Sequence, residues 1–168
     1  HKVLSIGSTR EKIEVEIAMQ YTDSYNENIV SFVNNVKTID GGSHEVGFKT
    51  AITRVFNEYA KENGFLKSKD KNLEGPDTRE GLTAIISLKI PEELLQFEGQ
   101  TKGKLGTPLA KTAVDTVLYE KLSYYLIENK ELSESIIKKA IKEAEAREEA
   151  RKARNQARLD KKDKKEMN

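Results

Sequence analysis

Apolar and polar residues alternate along Lys12–Tyr21, with Ile13, Val15, Ile17, Met19 and Tyr21 on one face and Lys12, Glu14, Glu16 and Gln20, interrupted by the small Ala18, on the other. A period of two with a charged outer side predicts a half-buried strand. Ile29–Val36 is a second strand candidate, richer in apolar residues and therefore expected nearer the middle of a sheet. Asp23–Asn28 between them has the Asp, Ser and Asn chemistry of a turn, which predicts that the two strands pair antiparallel. Leu82–Ile90 repeats the alternation through Ala84, Ile86, Leu88 and Ile90 and is stopped by Pro91. Leu95–Phe97 is expected to add a short edge strand.

After Gly41-Gly42-Ser43 the period changes to that of a helix, with Ser43 predicted as N-cap and Glu45 in the first turn, where the helix dipole favours an acid. Ala51, Ile52, Val55, Phe56 and Tyr59 form the apolar stripe, and Asn63-Gly64 ends it. Lys67–Asp77 reads as a charged surface loop containing Gly75-Pro76. Pro108 suits the first turn of a second helix, whose stripe runs from Leu109 through Ala113, Val117, Leu118 and Leu122 to Tyr125 and Leu126, ending near Asn129. A third helix starts near Ser133. Its apolar residues fade after Ala144 into Ala, Glu, Arg and Lys, which form helix readily but bury little. The order strand, strand, helix, strand, strand, helix, helix predicts an α+β fold. Its mixed four-stranded sheet has helices on one face and is followed by a long C-terminal helix. The expected divisions are a connector over 1–10, a core over 11–130, the long helix over 131–160 and a basic, disordered tail over 161–168.

Composition narrows the function classes. The chain has 168 residues, 36% hydrophobic and 34% charged, with a net charge of +1, so a nucleic-acid contact has to come from local clustering rather than a global field. It has no cysteine, which excludes disulfides and thiolate metal sites and fits a reducing cytoplasm. No apolar run is long enough for a bilayer. The chain opens on His1 rather than Met, so an excised fragment is expected, with His1 compatible with a tag remnant. There is no Walker loop and no dinucleotide fingerprint, and two histidines cannot build a histidine-rich metal site. His44, just after Gly41-Gly42, suits capping or packing better than catalysis. The isolated chain is expected to catalyse nothing and to bind no metal.

The residue pattern that carries chemistry is Gln100-Thr101-Lys102, on a loop between Gly99 and Gly103. A lysine pinned by structure on both sides delivers a positive charge to a fixed point, as phosphoryl transfer requires. Taken alone, the tripeptide reads first as a solvated turn. Lys49 and Arg54 on the first helix are candidate phosphate contacts, and so are Arg151, Arg154 and Arg158, which continue a stripe that starts at Arg147 and recurs at three- and four-residue steps on the last helix. Glu148 and Glu149 interrupt the second set, which is also how an ordinary solvated helix looks.

This loop resembles the QTK loop of the bacterial type II topoisomerase B subunits, the family of gyrase B and of ParE, its topoisomerase IV counterpart. The family's other stretches follow in order: Tyr21–Asn28, Ser31–Val36, Gly41–Phe48 and Arg79–Ala84. The similarity runs from about Glu11 to about Arg158, and Lys69–Gly75, Pro91–Phe97 and the lysine-rich end look closer to the topoisomerase IV branch. Ser43 stands where the family usually has Thr, and Gly103 where a polar residue is common.

The resemblance implies a transducer domain with a ribosomal-protein-like, left-handed β-α-β fold, preceded by an ATPase domain and followed by a Toprim domain. It implies that Lys102 contacts the γ-phosphate of ATP, that Gln100 positions the phosphate or the attacking water, and that Thr101 belongs to the same contact. It also implies a DNA cavity lined by the region of Lys49 and Arg54. Mg2+ in the parent enzyme lies outside this fragment. The implied partners are DNA, ParC (the A-type protein of topoisomerase IV) and a second copy of the B-type chain. A non-enzymatic nucleic-acid-binding module of ribosomal-protein type is the alternative from another class.

Overall fold

Residues 1–166 are described by the structure, a computed structural model. The main sheet has five strands, β1 (Leu4–Arg10), β2 (Ile13–Tyr21), β3 (Asn28–Val33), β4 (Val36–Lys37) and β5 (Leu82–Lys89), in the spatial order β1-β2-β5-β3-β4. The helices are α1 (Ser43–Glu62), the short α2 (Gly75–Arg79), α3 (Pro108–Glu128) and α4 (Lys130–Glu166). A two-stranded hairpin, β6 (Phe97–Glu98) and β7 (Lys104–Leu105), stands apart from the main sheet.

The alternation of β2 and β5 sets one face of the sheet. Ile13, Val15, Ile17 and Met19 are buried beside Leu82, Ala84, Ile86 and Leu88. Against them α1 sets Phe48, Ile52, Val55 and Phe56, and α3 sets Val114, Val117, Leu118 and Leu122, all buried in the same core. Each such side chain contributes about 1.5–3 kcal/mol by leaving water, more than an exposed ion pair contributes. The core therefore holds the helices to the sheet. Helix α1 meets α3 most closely at Gly47, where an added Cβ would lie 3.1 Å from the Lys111 Cα and nearer still to its carbonyl oxygen. On the opposite face, around Ser5, Gly7, Glu16, Ala18, Ile85 and Ser87, no helix packs among the described residues, and the sheet forms a shallow depression of about 420 Å³.

Several expectations are corrected. The sheet has five strands rather than four, because Leu4–Arg10 is a full strand pairing with β2 (Leu4 with Met19, Arg10 with Ile13) and not a connector. Strands β2 and β3 are not neighbours: β5 lies between them, antiparallel to β2 and parallel to β3. The loop after Tyr21 makes no hairpin because its polar side chains turn it locally. Ser24 N–H donates to Thr22 Oγ1 and Asn26 N–H to Ser24 Oγ, while Thr22 N–H reaches Gly81 O across the end of β5. The most central strand is thus β5, with partners on both sides. Leu95–Phe97 does not extend the main sheet, since Phe97 pairs with Leu105 instead.

The C-terminal helix is also longer than expected. It begins at Lys130 and runs through Glu166, so residues 161–166 of the expected disordered tail are helical; Met167 and Asn168 lie outside the described residues. Its first half is docked. Ser133 Oγ donates to Leu126 O, Ile137 and Ala140 are buried, Lys139 Nζ donates to Thr22 O at 2.6 Å, and Arg147 pairs with Asp77 and Glu74. From Glu149 onward every described residue is exposed, as its Ala/Glu/Arg/Lys composition predicts.

Candidate functional site

Gln100, Thr101 and Lys102 form the exposed tip of the β6–β7 hairpin, and Gly99 at φ 81° makes the turn that raises them. The base of the hairpin is tied down on two sides. Toward α1, Asp40 N–H donates to Gly103 O at 2.8 Å and Leu105 N–H donates to Gly41 O at 3.0 Å. Gly42 has φ 141°, and a Cβ there would lie 2.5 Å from the Leu105 nitrogen, so only glycine permits this approach.

Toward α3, Thr107 gathers the strands that lead in and out. Its Oγ1 accepts from Gln96 N–H at 3.0 Å and donates to Leu94 O at 2.9 Å. Ser43 Oγ donates to Thr107 O at 2.6 Å, closing the link between the N-termini of α1 and α3. The expectation for Ser43 is corrected accordingly. Gly42 is the N-cap residue, and the Ser43 hydroxyl serves the neighbouring helix rather than its own. The lysine tip is therefore hydrogen-bonded, through a few peptide units, to the starts of both long core helices.

A buried polar network lies beneath this junction. Ser31 Oγ and Thr38 Oγ1 are 2.6 Å apart, His44 Nε2 lies 2.8 Å from the first and 3.0 Å from the second, and Ser31 Oγ donates to Glu45 Oε2 at 2.7 Å. Burial pushes the His44 pKa down to about 4, so the imidazole is neutral at pH 7. Among the described residues its Nδ1 is the one buried side-chain nitrogen or oxygen without a hydrogen-bond partner. Thr38 N–H also donates to Ser31 O, and Thr38 O accepts from Gly41 N–H at 3.1 Å. His44 thus helps to fix the turn on which the lysine loop hangs. Sequence spacing could suggest packing for it, but not these partners.

Electrostatics separates two neighbouring lysines. Lys104 pairs with Glu98 at 3.2 Å, whereas the exposed Lys102 has no carboxylate within 4.0 Å among the described residues. Beside the loop, Asp40, Ser43, Lys49, Glu98 and Lys104 help to line a cleft of about 470 Å³.

The other predicted cations lie elsewhere and are differently occupied. Lys49 is 3.8 Å from Glu27; Arg54 bonds Asp115 at 3.1 Å and lies 3.9 Å over the Tyr119 ring. With Thr50, Thr53 and Arg79 they line a second, open cleft of about 410 Å³. Sequence spacing does not single out Arg79 as a cation of this cleft; it stands there only as the start of a family stretch. Arg151, Arg154 and Arg158 sit on the exposed part of α4, where Arg151 bonds Glu148 and holds that carboxyl down at about 2. Among the described residues no cluster of His, Cys, Asp and Glu is placed to hold a metal ion, and no helix is long and apolar enough to cross a membrane.

This architecture is one of known ancestry. The sequence profile of the DNA gyrase B family matches residues 1–156, and the chain belongs to that family. Within it the topoisomerase IV branch is favoured. The chain is 61% identical over 164 residues to the B subunit of DNA topoisomerase 4 from Bacillus subtilis (strain 168), covering 98% of this chain and 25% of that protein. It is 65% identical over 150 residues to the protein of the same name from Staphylococcus epidermidis (strain ATCC 12228 / FDA PCI 1200), covering 89% and 23%. The chain thus spans about a quarter of the length of the curated relatives it matches.

Among solved structures it is similar to the 43K ATPase domain of Thermus thermophilus gyrase B, crystallised with an aminocoumarin, at TM-score 0.84 and 42% identity over 92% of this chain and 41% of that one. It is also similar to the topoisomerase IV ATP-binding domain of Francisella tularensis, in complex with a small-molecule inhibitor, at TM-score 0.77 and 25% identity, covering 86% and 39%.

Proposed function

We propose that this chain is the transducer of a topoisomerase IV protein of the B type, an ATP-dependent, cytoplasmic isomerase that passes one DNA duplex through another. Its task is to convert nucleotide state into movement of the DNA gate. One observation carries this reading: the exposed Gln100–Lys102 tip, with its free ammonium, is hydrogen-bonded at its base to the turns that start α1 and α3. Residues 11–130, together with strand β1, form the transducing core, and the helix beyond leads toward a Toprim domain. ParC and a second copy of the B-type chain complete the assembly.

The loop fits a triphosphate by its chemistry. Lys102 supplies a point charge, Gln100 an amide that both donates and accepts, and Thr101 a hydroxyl. When bound, ATP supplies a γ-phosphate from an upstream ATPase domain, with Mg2+ held outside this chain. Lys102 binds that phosphate and steadies its developing charge, and Gln100 orients the phosphate or the attacking water. Loss of the γ-phosphate removes the partner of Lys102. The loop then has different affinities for the two nucleotide states, which is what shifts a domain equilibrium.

The test is Lys102→Ala in the full-length protein. ATP hydrolysis should fall by about a hundredfold or more, as when a preorganised charge-stabilising donor is removed. Turnover at the wild-type rate would refute the assignment.

DNA contact is the second element of the reading, favoured by the open cleft of Lys49, Arg54 and Arg79 and by the exposed Arg151, Arg154 and Arg158. These contacts read phosphates and not base edges. Were the chain instead a free-standing nucleic-acid-binding module, it would bind DNA tightly by itself with a steep salt dependence; a coupling domain binds weakly.

A further inference from the structure

Two of the cations that line the second cleft, Lys49 and Arg79, are already paired with a carboxylate. One carboxylate oxygen of Glu27, Oε1, accepts from Arg79 Nε at 2.9 Å and lies 3.8 Å from Lys49 Nζ. It bridges a cation on α1 and a cation at the end of α2, and the hydroxyl-bearing Thr50 and Thr53 line the same cleft. Arg79 is the more enclosed partner, with its side chain only 13% exposed. An oxygen held between a guanidinium and an ammonium occupies the position a phosphate oxygen would take.

Glu27 lies outside the strands and helices. It stands on the exposed loop Thr22–Glu27 between β2 and β3, close to Tyr25, which is 79% exposed. That loop is stapled to α4, since Lys139 Nζ donates to Thr22 O at 2.6 Å and approaches Ser24 O at 3.4 Å. Cleft and C-terminal helix therefore share contacts with one loop.

We propose that Glu27 is a displaceable stand-in for a nucleic-acid phosphate: in the free chain it pairs with both Lys49 and Arg79, and a phosphate of duplex DNA binds by exchanging with it. This rests on the DNA-contact reading above and adds to it Arg79 as a phosphate ligand and Glu27 as the internal competitor. Exchange releases the loop from the cleft, and because Lys139 holds the same loop, occupancy by DNA is transmitted to α4. Asp115 competes in the same way only for Arg54, which also keeps its place over Tyr119.

The experiment measures binding of the 168-residue chain to a fluorescent duplex of mixed sequence across a salt series. The variants are Glu27→Gln, Glu27→Asp, Lys49→Gln, Arg79→Gln and, as a control for bulk charge, the exposed Glu92→Gln. Freeing two cations should tighten Glu27→Gln by about three- to tenfold near 0.1 M salt and steepen the salt slope by roughly one to two units. Glu27→Asp, which keeps the charge but withdraws it by a methylene, should fall between Glu27→Gln and the wild type. Equal gains for Glu27→Gln and Glu92→Gln, or no gain for either, overturn the proposal. If Lys49→Gln and Arg79→Gln weaken binding while Glu27→Gln matches the wild type, DNA uses the cleft but Glu27 does not guard it. If neither cation matters, the reading of the cleft as a DNA contact fails as well.

Discussion

The backbone N–H of Asp40 donates to the carbonyl oxygen of Gly103 at 2.8 Å, so the residue after Lys102 is bonded to the turn that starts α1. Gly103 is buried there, and an added Cβ would lie 2.6 Å from Asp40 Oδ2. Gly103→Pro both adds a side chain and fixes φ near −65°. In the full-length protein it should leave ATP hydrolysis largely intact while DNA relaxation per ATP falls several-fold, because the tip still carries Lys102 but its tether is distorted. Parallel assays of phosphate release and relaxation decide this, and an unaltered ratio would remove the tether from the coupling path.

The glycines flanking the two ends of α1 differ in what a methyl group would meet. At Gly42 both a φ of 141° and the Leu105 backbone oppose a side chain, whereas Gly64, at φ 79°, has nothing within 4 Å. Gly42→Ala should destabilise the chain by about 2 kcal/mol or more, from backbone strain plus overpacking against atoms that cannot rotate away. That corresponds to a Tm lower by about 4–8 °C for a chain of this size. Gly64→Ala should cost about 1 kcal/mol, from strain alone. Thermal denaturation of the two variants separates the cases, and equal losses would show that the approach of Leu105 to Gly42 is not tight.

Much of this fold is legible in the sequence because β2, β5, α1 and α3 carry clean periodicities, and a period identifies the face a residue presents. It does not identify the neighbour. The expected β2–β3 pairing fails for that reason: what places β5 between them is the burial of Leu82, Ala84, Ile86 and Leu88, a tertiary fact. Strand β1 is hidden by its own composition, since Leu4 and Ile6 alternate with Ser5, Gly7 and Thr9, with no charged outer face to sharpen the pattern. At the site, Gln100–Lys102 is visible as a glycine-flanked loop, but its tethers run through backbone groups of Asp40, Gly41 and Gly103, which side-chain patterns do not report. Arg147 looks like the first member of a basic stripe, and only the fold reveals its partner Asp77.

That distinction predicts opposite behaviour for neighbouring arginines. Arg147 bonds Asp77, whose side chain is 4% exposed, and Glu74 at 3.2 Å, and so pins α4 to α2. Arg147→Ala leaves a nearly buried carboxylate unpaired and should cost about 1–3 kcal/mol, read as a lower denaturant midpoint. Replacing Arg151, Arg154 and Arg158 together with Gln should leave that midpoint within about 0.5 kcal/mol, because all three are exposed. In the full-length protein the same triple replacement should weaken the stimulation of ATP hydrolysis by DNA. An undiminished response would leave those residues as solvated surface.

The docking of α4 should depend on pH through Glu80. Burial, then a hydrogen bond with the Glu143 carboxyl on α4, pushes the Glu80 pKa up from 4.5 to about 7; Asp77 adds to the rise and the Lys139 ammonium opposes it. A raised folded-state value means that folding favours the protonated acid. The contribution is therefore complete below about pH 4.5 and is lost as pH rises through about 7. His44 acts in the other direction. Its pKa is lowered from 6.5 to about 4 by burial, so its contribution is complete above pH 6.5 and is lost as pH falls through 4. Between these limits the α4 contact should loosen with rising pH while the β3–α1 junction tightens or holds. Amide exchange of residues 130–148, corrected for intrinsic rates, should show weaker protection at about pH 8 than at about pH 5.5, on either side of that titration. Glu80→Gln should flatten that dependence by keeping a neutral donor beside Glu143 at every pH. Equal protection at both pH values in the unsubstituted chain would mean that Glu80 and Glu143 do not share a proton across the α4 interface.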